Sequence, residues 1–89
     1  MQPQWADDDT IRRWVNALIV LGEQHGLRNL ALGERTAQII ADVDKGRTYF
    51  DIVDFEFQAE SILGSKISVT PSGVAGAKVR APLTGSSAA

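Results

Sequence analysis

The sequence predicts an α+β domain: a helix, an antiparallel two-strand hairpin, a helix crossover and a third strand, forming a three-stranded mixed sheet with helices packed on it. Three observations carry this. Apolar residues recur at helical spacing through 10–25, and two strand-like runs, 27–32 and 38–43, stand one short turn apart. A helix-length segment, 49–63, then leads into the β-rich KISVT of 66–70.

Bulk properties bound the rest. A chain of 89 residues is one small domain, and folding buries only about 60–65% of the surface such a chain exposes when unfolded. Apolar residues at 44% and charged residues at 22% are ordinary globular usage. The absence of Cys removes disulfides, thiolate metal sites and Cys nucleophiles, and a lone His25 leaves no partner for a His-based zinc site. Net charge is −2 and no basic cluster exceeds Arg12–Arg13, so the footprint that grips a nucleic-acid backbone is missing. The longest apolar run, 17–21, is too short to cross a bilayer, and the N-terminus is acidic where a secretory signal is basic. A cytoplasmic protein with no membrane partner is expected.

Residues 1–9 read as an N-terminal arm, with Trp5 either exposed or tucked against the domain. Asp7, Asp8 and Asp9 precede Thr10, where carboxylates accept the orphan N–H groups of a helix start and favour its positive dipole end. A divalent-metal site is the sharper alternative, but consecutive carboxylates point apart. In the first helix Ile11, Trp14, Val15, Leu18, Ile19 and Leu21 share one side, opposite Arg12, Arg13, Asn16, Glu23 and Gln24. Gly26 ends it, and His25 in the last turn is expected to cap carbonyls.

Strand 27–32 alternates imperfectly and strand 38–43 alternates better. The turn between them, Gly33-Glu34-Arg35-Thr36-Ala37, is too short for a parallel crossover, so the pair is an antiparallel hairpin. Gly33 and Gly46 are expected to supply positive φ at turns. Thr48 is placed as the N-cap of the helix 49–63, which Gly64 ends.

That second helix has two apolar sides. Ile52, Phe55, Ala59, Ile62 and Leu63 form one stripe and Phe50, Val53 and Phe57 another, with Glu56 and Glu60 between them and Asp51, Asp54, Gln58 and Ser61 forming a polar stripe. A sheet covers only one side. The other packs on the first helix, on a second copy or on a foreign partner, and Phe50, Val53, Phe57, Glu56 and Glu60 are the candidate protein-interface residues. The third strand, joined to the second through a helix, is expected to pair parallel by a right-handed crossover, with Pro71 closing it. Residues 76–89, rich in Gly, Ala and Ser, read as a flexible tail.

An amphipathic helix, HGLRNL at 25–30, a second strand, a Gly46-Arg47-Thr48 turn, a helix ending Leu63-Gly64 and a strand ending Val69-Thr70-Pro71 together resemble the minimal nucleotidyltransferase family of the DNA polymerase β superfamily. The resemblance covers roughly residues 10–75 and is closest over 42–74. It implies a reduced nucleotidyltransferase-like fold, and family members use ATP and Mg2+, the metal held by acidic side chains in an Asp-x-Asp strand and on the last strand. Counted back from Gly46-Arg47-Thr48, the Asp-x-Asp positions fall on Thr36 and Gln38, and the third carboxylate position falls on Ser68. The family's glycine-serine turn has largely vanished around Leu32-Gly33-Glu34-Arg35. A shifted alignment brings Glu34 or Asp42 nearer, yet neither recreates Asp-x-Asp, and Asp44 lies past the strand.

Divalent ions that steady attacking and leaving oxygens need converging hard anionic ligands. The expectation is therefore no catalytic residue, no metal and no cofactor. The resemblance implies a domain that acts by binding a protein, as an antitoxin-like partner of a HEPN ribonuclease toxin. A homodimeric structural domain and a residual nucleotide-binding nucleotidyltransferase are the alternatives.

Overall fold

A computed structural model describes residues 4–84, so expectations for 1–3 and 85–89 lie outside the described residues. The chain forms helices α1 (Asp8–Arg13), α2 (Val15–Gln24) and α3 (Tyr49–Leu63) and strands β1 (Leu27–Gly33), β2 (Gln38–Val43), β3 (Ser68–Pro71) and β4 (Val79–Pro82). The order in the sheet is β3-β2-β1-β4, with β1 antiparallel to both neighbours and β3 parallel to β2. The α+β class and the parallel crossover agree with expectation, but the mixed sheet has four strands rather than three. No helix among the described residues is long and apolar enough to cross a membrane.

The first helix starts where the acidic run predicts. Asp7 is the N-cap, and its carboxylate accepts the Thr10 N–H at 2.8 Å, a bond that also holds its pKa below the ordinary carboxylate value. The expected single helix is jogged at Trp14 (φ −106°, ψ 19°), whose N–H is shared between the Thr10 and Ile11 carbonyls at 3.3 Å each. Such a three-centre bond tightens one turn without losing the buried face. Ile11, Val15, Leu18 and Leu21 all remain in the core.

Strand β1 explains its own poor alternation. Asn29 takes φ 55°, and Asn29 and Leu30 together stand opposite Ala41, because the register moves from Arg28↔Asp42 to Ala31↔Ile40. This β-bulge shifts the side-chain phase by one. Leu27 and Leu30, which a regular strand would send to opposite faces, both reach the core.

The sheet has two unlike faces. Leu30, Leu32, Ile39, Ala41 and Val69 meet the apolar sides of α1, α2 and α3, with Phe55 at the centre. Ala31, Ile40 and the polar Gln38 are also buried, outside the helix-side cluster and on the other face. Residues 72–78, which join β3 on one edge to β4 on the other, run across that second face as a strap. At one end Ser72 donates its N–H to the Ala41 carbonyl at 2.8 Å and its hydroxyl to Asp42. At the other, the Gly76 carbonyl accepts from Gln38 and the Lys78 carbonyl accepts the Glu34 N–H at 3.2 Å.

Strand β4 lies inside the stretch expected to be a flexible tail. It is held by pairing to β1, by the Leu83 N–H on the Leu30 carbonyl at 2.9 Å, and by burial of Leu83. Arg80 adds a fork: both terminal nitrogens reach the Asp8 carboxylate at 2.8 Å, and Nε donates to the Gly33 carbonyl at 3.2 Å. The N-terminal arm is likewise engaged from Gln4 onward. Lys66 donates its N–H to Gln4 and accepts from Ala6, both at 2.8 Å, and the Lys66 ammonium stands 5.5 Å from the ring centre of half-exposed Trp5.

The outer edge of β3 is closed. Ser68 turns its N–H to the Ala37 carbonyl at 2.9 Å, so the next N–H, on Val69, faces outward. There the Glu56 carboxylate accepts it at 2.7 Å, and Pro71, the other outward residue, has no N–H. Burial raises the Glu56 pKa, and the Val69 bond partly offsets that.

Candidate functional site

Two places are candidates: the positions where the family resemblance puts acidic ligands, and the outer face of α3. At the first, Gln38 and Ser68 are register partners on β2 and β3, and Thr36 is exposed in the turn before β2. The fold therefore does bring these sequence-predicted positions to one end of the sheet. Gln38, only 2% exposed, is a tied-off structural residue: Oε1 accepts the Arg35 N–H at 3.1 Å, and Nε2 donates to Thr70 Oγ1 at 2.9 Å and to the Gly76 carbonyl at 3.1 Å. Both amide hydrogens and one lone pair of Oε1 are engaged.

The same contact explains Gly33. A Cβ on Gly33 would collide with the Gln38 amide, so close approach requires the glycine, while the positive φ expected there falls on Ala37 at 56°. Gly46 does take positive φ, at 89°.

An open cleft of about 470 Å³ beside Thr36 is bounded by Asp8, Asp9, Glu34, Arg35 and Arg80, among others. Its carboxylates are committed elsewhere or apart: Asp7 caps α1, and Asp8 pairs with Arg80, which holds the Asp8 pKa down. Among the described residues no three His, Cys, Asp or Glu side chains are gathered as a metal would need. Asp42 sits at the opposite end of β2, roughly 13 Å along the strand at ~3.3 Å per residue. There Asn29 (2.7 Å) and Ser72 donate to it and lower its pKa. Asp44 pairs with Arg28 at 2.7 Å.

No protein-family model, curated protein or solved structure matches this chain.

The second place is α3. Thr48 precedes it and donates its N–H to the Asp51 carboxylate at 2.9 Å, while Gly64 closes it in the left-handed conformation at φ 71°. That bond lowers the Asp51 pKa, aided by Arg47 at 3.3 Å. Ile52, Phe55, Ala59 and Leu63 are buried, as the first apolar stripe predicts. The second stripe is bare: Phe50 is 80% exposed, Phe57 74% and Val53 39%. Tyr49, 72% exposed, continues it. Tyr49 was missed in the sequence, although its spacing of four from Val53 places both on one face.

Of the two glutamates flanking the stripes, Glu56 is engaged at the sheet edge and Glu60 is half-buried without an ion pair among the described residues. His25 does not cap carbonyls with its ring. Its backbone N–H does so, on Gly22 at 2.9 Å, while the ring lies edge-on to Phe55 at 6.4 Å and its Nε2 accepts from the Gln58 amide at 3.2 Å.

Proposed function

We propose that this chain acts by contact rather than by catalysis, as a nucleotidyltransferase-like domain whose outer α3 face binds another protein. The observation that carries the reading is the bare Tyr49, Phe50, Val53 and Phe57 face. Three aromatic side chains clustered on one short helix are more than scattered surface apolarity, and aromatics mark the buried centres of interfaces. The replacement of the expected acidic ligands by Thr36, Gln38 and Ser68 supports the same reading. A buried glutamine whose amide makes three hydrogen bonds beneath a strap serves the fold. On the family resemblance, the partner is an all-helical HEPN ribonuclease, and the domain is its antitoxin-like companion.

The test is co-purification with a tagged chain from the native cell, compared with a Phe50→Ser/Phe57→Ser variant. Loss of one stoichiometric partner with unchanged thermal unfolding is the expected result. AMP transfer by the purified chain, or a melting temperature that rises with the logarithm of Mg-ATP concentration, would overturn it. So would a stable homodimer in sedimentation that the variant dissolves.

A further inference from the structure

We infer that the partner of the α3 face is a basic amphipathic helix, one that sets an apolar stripe against Phe50, Val53 and Phe57 and places Lys or Arg on both flanks. This deepens the contact reading above and rests on it. The argument is charge complementarity. The segment YFDIVDFEFQAESIL carries four acids, Asp51, Asp54, Glu56 and Glu60, and no base. At 100° per residue, Phe50, Val53 and Phe57 fall within one narrow sector of the outer face, with Asp54 bordering it on one side and Glu60 on the other.

Asp51 and Glu56 are internally occupied, by Arg47 and by the Val69 N–H. Asp54 and Glu60 have no ion pair among the described residues. The bare stripe is thus fenced by two uncompensated carboxylates. A second copy of α3 is a poor occupant: an antiparallel pair about the Val53–Phe57 centre would set acid against acid, with no base on either helix. Opposite charge on the incoming helix removes that repulsion and fixes its register.

A seat for an apolar anchor is also present. A shallow depression of about 280 Å³ is bounded by Phe57, Gln58, Ser61 and Ile62, on the Gln58–Ser61 flank of Phe57 toward the end of α3. An apolar side chain at the edge of the incoming stripe would occupy it, with the main anchors spaced at helical intervals along Phe57, Val53 and Phe50.

The probe is a synthetic helical peptide with Leu along one face and Lys on both flanks, alongside the same peptide with Glu replacing Lys, each titrated into the full chain with amide chemical shifts as readout. The Lys peptide should bind saturably, with shifts concentrated on α3. The Glu peptide should bind roughly tenfold more weakly or worse. Asp54→Lys/Glu60→Lys should reverse the preference, and Phe50→Ser/Phe57→Ser should abolish binding while the remaining spectrum is unchanged. Equal binding of both peptides on α3 overturns the inference and leaves the contact reading standing. Undiminished binding of the Lys peptide to Phe50→Ser/Phe57→Ser overturns it as charge adhesion alone. If neither peptide shifts α3, the inference fails, and the contact reading fails with it only if that variant also keeps its native-cell partner.

Discussion

Replacing Gln38 by Glu changes one amide nitrogen to an oxygen and nothing in shape, so its cost reports how completely that side chain is enclosed. Oε1 can still accept the Arg35 N–H, and Thr70 can turn its hydroxyl to donate. The new oxygen, however, faces the Gly76 carbonyl where Nε2 donated at 3.1 Å. Two acceptors then confront each other in a site that is 2% exposed. The floor of the penalty is the lost bond and its orphaned carbonyl, about 1–2 kcal/mol. The ceiling is the cost of protonating the carboxyl instead, since the neutral acid can donate to Gly76: from an ordinary Glu value near 4.3 to about pH 7, this is about 3.7 kcal/mol.

Urea unfolding followed by helical circular dichroism should therefore show the variant less stable by about 1–4 kcal/mol at neutral pH, a midpoint lower by roughly 1–4 M at ~1 kcal/mol/M. The pKa of the buried Glu is raised in the folded state, so the penalty is present above that value and disappears as pH falls to the unfolded value. The difference between variant and parent should accordingly shrink toward about pH 4.5. An unchanged midpoint at neutral pH would refute the enclosed, strap-bound placement of Gln38.

Other outcomes follow from the same physics. The lowered pKa values of Asp7, Asp8, Asp42 and Asp51 mean stability that is present above the ordinary carboxylate value of 3.8 and lost as pH falls from there through the lower folded values, so the parent chain should show a falling thermal midpoint below that pH by calorimetry. Glu56→Gln keeps an acceptor for Val69 and removes a charge that burial disfavours. Because the Glu56 pKa is raised, its favourable contribution is lost as pH rises through the folded value, so the Gln variant should match or exceed the parent at neutral pH. Arg80→Ala removes the fork onto Asp8 and Gly33, and hydrogen exchange should accelerate in Val79–Pro82 before the β1–β2 hairpin changes.

What could be read from the residues alone depended on how local its cause was. The helical spacing of Ile11 to Leu21, the hairpin and the two-sided α3 are set by neighbours within a few positions, and each reappears in the fold. The bulge at Asn29 left a trace, the broken alternation of LRNLAL, but its position needs the partner strand. Strand β4 left almost none: VRAP is four residues with a proline, set in a Gly/Ala-rich stretch, and it becomes a strand because β1 has a free edge and Asp8, 72 residues upstream, meets Arg80.

Gln38 was legible as a missing acid but not as a structural hub, since its bonding partners Thr70 and Gly76 lie 32 and 38 residues away. The exposure of Phe50 and Phe57 was left open because periodicity separates two faces without saying which one the small core can cover.

The sealed rim of β3 limits how these molecules can join. Any sheet that grows by adding chains edge to edge needs two receptive margins per copy, and here Glu56 and the proline leave at most one, on β4. Two copies meeting β4 to β4 would exhaust both receptive margins and turn closed ones outward. Among the described residues, then, backbone-mediated pairing of native copies should stop at a pair, because the β3 margin offers no free N–H to an incoming strand.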